Sequence, residues 1–75
     1  MLIQCFGMLK ELIGTDRLNL EQCSNTDQLQ QKLVQLYPAI QDQPFAIAVN
    51  RTIIFEPISL NEEDEIALLP PFSGG

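Results

Sequence analysis

The sequence predicts an α+β fold in which a mixed sheet of about five strands packs on one main helix. Two observations predict this fold. Five short runs have the composition or the alternation of β-strands, and one amphipathic helical stripe lies between the second and the third of them. The 75 residues are enough for one domain with one small core. A domain of this size has little room for an enclosed enzyme pocket.

The amino-terminal part of the chain predicts two strands separated by a short helical turn. Residues 2–7 alternate weakly between apolar and polar side chains and predict the first strand. Residues 8–13 predict a helical turn that ends at Gly14, because glycine readily adopts the left-handed conformation found after helices. Alternation over residues 17–21 predicts the second strand. We expect these two strands to pair.

The main helix is predicted between residue 25 and residue 37. Residues 24–27 offer several side chains that could cap its first turn. It must end close to Pro38, because a residue that precedes proline is pushed out of the helical region. Its apolar residues recur at the helical spacing i, i+4, i+7 and i+8, and they are Leu29, Leu33, Leu36 and Tyr37.

Three further strands are predicted after the helix. Residues 45–50 and 52–55 are rich in β-forming side chains and are joined around Asn50, which can adopt a positive φ. Residues 56–64 are typical of loop and turn, and residues 65–69 form the last strand. One helix laid across a sheet in this order is the β-grasp, or ubiquitin-like, arrangement.

The chain is acidic, with ten Asp and Glu residues against four Lys and Arg residues and a formal charge of −6. The positive residues are scattered, so no basic patch could neutralise phosphates, and nucleic-acid binding is disfavoured. We expect any charged partner surface to be basic. The acidic run at residues 62–65 could steer such a partner, or it could be an ordinary solvated turn.

The amino-terminal residues have no basic segment before an apolar core, and no run approaches the roughly 18 apolar residues of a membrane span. We therefore expect a soluble, cytoplasmic protein that binds no membrane. Cys5 and Cys23 fit no CxxC motif and no metal-ligand spacing, so we predict no metal site. Both should be reduced thiols that pack as small apolar side chains.

The residues after the last strand carry the most specific pattern. Pro70 and Pro71 have no N–H group, so they must end the strand, and consecutive prolines favour a stiff extended segment. We expect residues 70–75 to project as a tail from a domain formed by residues 1–69. The glycine pair Gly74-Gly75 has no Cβ atoms, so a partner's channel could close around its backbone.

Ser73, next to this pair, could be taken for a nucleophile. The sequence contains no histidine, and therefore no Ser-His-Asp or Cys-His set can be assembled to activate it. We interpret Ser73 as a small spacer in the tail.

Five short blocks of the sequence form a recognisable set. They are residues 6–7, 10–14, 48–50, 64–67 and, above all, 70–75, which read FG, KELIG, AVN, DEIA and PPFSGG. With these blocks the chain resembles the small subunits of molybdopterin synthase, a family of ubiquitin-like sulfur carriers, over nearly its whole length. Thiamine-pathway sulfur carriers share the fold and the two glycines but usually lack the paired prolines. The chain departs from the family's common residues at Lys10, Glu62, Glu63, Leu68 and Leu69.

The resemblance implies that an activating enzyme uses ATP and Mg²⁺ to adenylate the carboxylate of Gly75, and that a sulfur donor protein converts it to a thiocarboxylate. The thiocarboxylate would donate its sulfur to the cyclic pyranopterin precursor of the molybdenum cofactor. That step would take place in the active site of the large synthase subunit, with two small subunits flanking a dimer of large ones. The chain itself would be a non-catalytic, sulfur-donating subunit that binds no cofactor.

A docking surface is predicted near the root of the tail. Phe6, Ile53, Leu69 and Phe72 are apolar, and the alternation of the strands allows several of them to lie on the sheet face away from the helix. A contiguous patch there would bind the large subunit and the activating enzyme. The alternative is that some of these side chains complete a small core.

The diglycine pattern leaves other functions open. The chain could be a sulfur carrier of the thiamine type, a protein modifier conjugated through Gly75, or a plain interaction module. A carrier gains a discrete mass on itself, whereas a modifier appears as an adduct on lysines of other proteins. An inert module would show neither change.

Overall fold

The computed structural model describes residues 1–70, which form a five-stranded sheet, two α-helices and one short 3-10 helix. The elements in chain order are β1 (Leu2–Cys5), α1 (Met8–Ile13), β2 (Arg17–Asn19), α2 (Thr26–Leu36), the 3-10 helix (Pro38–Ile40), β3 (Ala46–Val49), β4 (Thr52–Ile53) and β5 (Ile66–Leu69).

The sheet has the strand order β2-β1-β5-β3-β4. The central strand, β5, is parallel to its neighbour β1, although the two lie close to opposite ends of the described chain. The other neighbouring strands are antiparallel. The last strand therefore fills the middle of the sheet, and the predicted β-grasp fold with a mixed sheet is confirmed.

The core lies between one face of this sheet and α2. The alternation of β1 places Ile3 and Cys5 on the covered face, and the α2 side chains Leu29 and Leu33 pack against that face with no exposed surface. Leu68 of β5 is equally buried at the centre of the core. The same alternation leaves the opposite face of the sheet without a covering helix.

The end of α2 differs from the prediction at one position. Leu36 is the last residue of the helix and is 49% exposed, so it does not extend the buried stripe. The chain instead turns through the 3-10 helix, and Ile40 enters the core with no exposed surface. Pro38 begins this helix, where its missing N–H group costs no hydrogen bond.

The start of α2 is fixed by side-chain hydrogen bonds. The Asn25 side chain caps the helix by accepting the backbone N–H of Gln28 at 2.8 Å. The buried Thr26 hydroxyl accepts the backbone N–H of Ile58 at 3.0 Å, and the Thr26 N–H donates to the Ile58 carbonyl. These bonds attach the long loop after β4 to the helix.

The turn between β3 and β4 has the positive φ that was expected to be accessible to Asn50, and a second positive φ at Arg51 that was not predicted. Asn50 has φ 53° and Arg51 has φ 69°, so both central residues lie in the left-handed region that matches the twist of a hairpin. The sequence has no glycine here, and asparagine is the side chain that tolerates this region best after glycine. The predicted strand over residues 52–55 is shorter in the structure, where β4 spans Thr52–Ile53 and the Ile54 N–H makes one further bond to the Ile47 carbonyl of β3.

Candidate partner-binding site at the root of the tail

The uncovered face of the sheet carries two rows of side chains that run across the strands. In one row, Gln4 lies beside Ala67, Ala67 beside Ala48, and Ala48 beside Ile53. The second row lies two residues farther along β5, where Leu69 is paired with Ala46. Because Cys5 is paired with Leu68, the next residue, Phe6, stands beside Leu69.

These rows enclose a shallow groove of about 480 Å³. Two of its lining residues are the alanines Ala48 and Ala67, and its larger apolar lining residues are Phe6, Ile53, Ile66 and Leu69. Phe6 is 44% exposed, whereas Ile53 and Leu69 are partly buried. The groove is lined by Gln4, Phe6, Ala48, Arg51, Ile53, Glu65, Ile66, Ala67 and Leu69.

One end of the groove is charged. The Arg51 Nε atom lies 3.5 Å from the Glu65 carboxylate, and both side chains are exposed to solvent. An exposed ion pair of this kind contributes about 0–1 kcal/mol to stability. It remains available to rearrange against the charges of a partner.

The acidic run beside the groove is a hydrogen-bonded turn. The Asp64 carboxylate accepts the backbone N–H of Asn61 at 2.8 Å and the side-chain N–H of Asn50 at 2.9 Å. These bonds, the backbone bond first, hold the pKa of Asp64 below its ordinary value. Glu62 and Glu63 are exposed to solvent. Asp64 therefore has a structural role in the turn.

The last strand delivers the tail to the same end of the sheet as Phe6 and Leu69. The Phe6 backbone N–H donates to the Leu68 carbonyl at 3.1 Å, which joins the ends of β1 and β5. Pro70 follows directly after β5 and packs against Gly7. The root of the tail therefore lies beside the apolar groove.

The structure brings three predicted interface residues together, since Phe6, Ile53 and Leu69 line one groove. Pro70 lies next to it. The other predicted residues, Pro71, Phe72, Ser73, Gly74 and Gly75, lie outside the described part of the chain. The roles assigned to all of these residues stay predictions.

Both cysteines are free thiols packed in the core, as predicted. Cys5 is 2% exposed and Cys23 is 3% exposed. Burial, and secondarily the negative charge of Asp16, raises the pKa of the Cys5 thiol. A buried thiol with a raised pKa is a poor nucleophile. Among residues 1–70 no cluster of acidic or cysteine side chains could hold a metal ion, and no helix is long and apolar enough to cross a membrane.

Sequence reasoning missed two contacts at the site. The first is the position of Gly7 beneath the ring of Pro70, although the Phe6-Gly7 block was one of the recognised signals. The second is the bond from Asn50 to Asp64, which spans 14 positions in the sequence and therefore leaves no local pattern. An acidic turn opposite an asparagine is too common a combination to predict such a bond.

The fold and the site together define a ubiquitin-like β-grasp domain with an apolar groove beside Pro70, the last residue that the structure describes. The chain belongs to the ThiS family, whose model matches residues 3–75. It is 36% identical to the molybdopterin synthase sulfur carrier subunit of Dictyostelium discoideum, over 97% of this chain and 93% of that protein.

Two solved structures extend the comparison. The small archaeal modifier protein 1 of Methanosarcina acetivorans superposes with a TM-score of 0.80 and 26% identity, covering 99% of this chain and 94% of that one. A complex of subunits 1 and 2 of the molybdopterin-converting factor from Helicobacter pylori contains a chain that matches with a TM-score of 0.70 and 25% identity. That match covers 99% of this chain and 96% of the other.

Proposed function

We propose that this chain is the sulfur carrier subunit of a molybdopterin synthase. The observation that carries the proposal is the match to the ThiS family over residues 3–75, together with 36% identity to a molybdopterin synthase sulfur carrier subunit. Both matches extend along nearly the whole chain. The proposal therefore applies to the tail as well as to the domain.

The chemistry takes place on the carboxylate of Gly75. A carboxylate is a poor electrophile, and an activating enzyme that uses ATP and Mg²⁺ converts it to an acyl adenylate with release of pyrophosphate. A sulfur donor protein supplies sulfur at the oxidation level of sulfide, which attacks the acyl carbon and displaces AMP. The product is a thiocarboxylate, whose sulfur is the nucleophile for the cyclic pyranopterin precursor.

The domain delivers the tail to its partners. The groove lined by Phe6, Ile53 and Leu69 provides apolar surface beside the root of the tail, where a partner that accepts the tail must also contact the sheet. Phe72 would extend this surface. The Helicobacter pylori complex of subunits 1 and 2 supports the large subunit as this partner. The assembly of two small and two large subunits is part of our proposal and rests on the family resemblance.

Acid–base groups come from the partner in this account. The chain contains no histidine, and the thiol of Cys5 is buried with a raised pKa. Sulfur transfer from a tail needs positioning and proton transfer at the reacting atoms. The large subunit therefore provides the active site, and this chain provides the sulfur.

Removal of Gly75 tests the proposal. The shortened carrier should lose sulfur transfer to the pyranopterin precursor in the presence of the large subunit, the activating enzyme, ATP and a sulfur donor. Its melting temperature should equal that of the complete chain, because the core lies within residues 3–68. Sulfur transfer at the normal rate by the shortened carrier would contradict the proposal.

A Gly74→Val variant tests insertion of the tail. The added side chain should meet the walls of a narrow channel, so the variant should keep its stability and lose sulfur transfer. The unmodified chain assayed in parallel gives the reference rate. Normal turnover by Gly74→Val would contradict insertion of the tail into the partner.

A second candidate function is protein modification through Gly75. It is favoured by the similarity to small archaeal modifier protein 1, with a TM-score of 0.80 and 26% identity. A modifier would form isopeptide bonds, and it would appear in the host as adducts on lysines of other proteins. Adducts that disappear when Gly75 is removed would support this second function.

A further inference from the structure

Pro70 packs against Gly7, and its ring leaves no space for a side chain at position 7. A Cβ atom placed on Gly7 would lie 2.6 Å from the Pro70 Cγ atom and 3.4 Å from its Cδ atom. A separation of 2.6 Å is far shorter than the 3.5–4.0 Å of an ordinary carbon contact. The proline ring therefore occupies the space that a side chain at position 7 would need.

The backbone conformation and hydrogen bonds around Gly7 fix its position relative to Pro70. Gly7 has φ 61° and ψ −137°, a conformation that only glycine adopts readily. On one side, the Phe6 N–H bonds the Leu68 carbonyl of β5. On the other side, the Gly7 carbonyl accepts the Lys10 N–H at 3.2 Å in the first turn of α1.

Pro70 also borders an apolar crevice on the side of α1. The crevice has a volume of about 150 Å³ and is lined by Met8, Leu9, Leu12, Gln43, Pro44 and Pro70. The proline ring thus has neighbours both in the β1–α1 connection and around this crevice. Its orientation is set by the folded domain.

We propose that Gly7 is a positioning residue that sets the direction in which the tail leaves the domain, through its contact with Pro70. The inference rests on the proposed function, because direction matters when the tail must enter a partner. The five residues after Pro70 can extend about 16 Å. A rotation of about 30° at the root would move the end of such a segment by about 8 Å.

The Gly7→Ala variant tests the proposal. The thiocarboxylate is made chemically on Gly75, so that the activating enzyme is not needed, and sulfur transfer to the pyranopterin precursor is measured with saturating large subunit. Because the carrier is consumed in the transfer, kcat here denotes the single-turnover rate constant of the saturated complex. Small displacements of reacting groups can cost about 100-fold in rate. We expect kcat to fall about 10- to 100-fold while the variant remains folded at the assay temperature.

Gly14→Ala is the matched control. Gly14 also has a positive φ, 93°, but among residues 1–70 a Cβ atom there would have no neighbour within 4 Å. This variant bears backbone strain without contact with Pro70. We expect its melting temperature to fall and its kcat to stay within about twofold of the unmodified chain. Equal kcat values for Gly7→Ala, Gly14→Ala and the unmodified chain would overturn the proposal.

Pro70→Ala completes a double-mutant cycle with Gly7→Ala. It also tests the proposal by itself if Gly7→Ala fails to fold. Removal of the ring removes the collision, so Gly7→Ala should lower kcat less than about threefold in the Pro70→Ala background. Pro70→Ala alone should lower kcat, because the tail loses the contact of the Pro70 ring with Gly7. Fully additive effects, or an unchanged kcat for Pro70→Ala, would overturn the proposal. Failure of the unmodified thiocarboxylate to transfer sulfur would overturn the proposed function and this inference with it.

Discussion

Asn50 joins two parts of the chain that are distant in sequence. Its backbone adopts φ 53° in the β3–β4 turn. Its side chain donates to the Asp64 carboxylate and accepts the Glu65 N–H, both at 2.9 Å. Its backbone N–H donates to the Glu65 carbonyl at 2.8 Å. One residue therefore shapes the hairpin and attaches the start of the last strand to it.

Two substitutions at Asn50 separate its conformational role from its hydrogen bonds. Asn50→Ala should lower the free energy of unfolding by about 2 kcal/mol, because alanine is strained at positive φ and makes neither side-chain bond. Asn50→Gly removes the side-chain hydrogen bonds but keeps the backbone conformation, so the free energy of unfolding should fall by about 1 kcal/mol. Urea denaturation measures both values. Equal losses would show that the positive φ contributes nothing.

Asp64 makes the stability of this turn depend on pH. Its folded-state pKa lies below the ordinary value of an aspartate, because the carboxylate accepts hydrogen bonds first from Asn61 and then from Asn50. A lowered pKa contributes stability above the unfolded-state pKa, and this stability is lost as the pH falls through the folded-state pKa. An NMR titration should give a lowered pKa for Asp64 that rises toward the ordinary aspartate value in Asn50→Ala. A pKa that does not change in the variant would contradict this assignment.

At the scale of elements, the uncovered sheet face and the tail depend on the same two strands. β1 and β5 are parallel neighbours, and Phe6 and Leu69 follow from their register. Leu2 lies on the same face of the sheet as Phe6, because the two are an even number of positions apart. Four steps along the strand separate them by about 13 Å, so Leu2 lies far from the root of the tail. Leu2 is 50% exposed and Phe6 is 44% exposed, which makes them a matched pair.

Alanine at these two positions tests the groove as the docking surface. Phe6→Ala should weaken binding of the large subunit about tenfold or more, whereas Leu2→Ala should change it less than about threefold. Both variants should keep the free energy of unfolding within about 1 kcal/mol, because neither side chain is in the core. Titration calorimetry gives the affinities. Similar affinities for the two variants would contradict docking through the groove.

Most elements of this fold could be predicted because their signals are local. The stripe at Leu29 and Leu33, the stop at Gly14 and the alternation of β1 each depend on neighbouring residues. The 3-10 helix that buries Ile40 could not be predicted, because three residues carry no periodicity. The contact between Gly7 and Pro70 could not be predicted for another reason. It depends on the parallel pairing of β1 with β5, which joins residues more than sixty positions apart.

The whole molecule combines a small acidic domain with a tail that leaves it beside an apolar groove. The formal charge of −6 favours approach to a basic partner surface, and that attraction weakens as salt is added. The core is complete within the described residues and holds both cysteine thiols away from solvent. The chemistry that we propose therefore belongs to the tail, and the domain serves for recognition and delivery.

The proposed sulfur-carrier function is tested most directly by the intact mass of the protein isolated from its host while that host makes the molybdenum cofactor. Replacement of a carboxylate oxygen by sulfur adds about 16 Da, and fragmentation must place this gain on Gly75, because methionine oxidation gives nearly the same nominal shift. A thiol-alkylating reagent applied to the native protein should modify Gly75 first, because Cys5 and Cys23 are buried. We predict an alkylatable mass gain on Gly75. An unmodified Gly75 under these conditions would contradict this prediction.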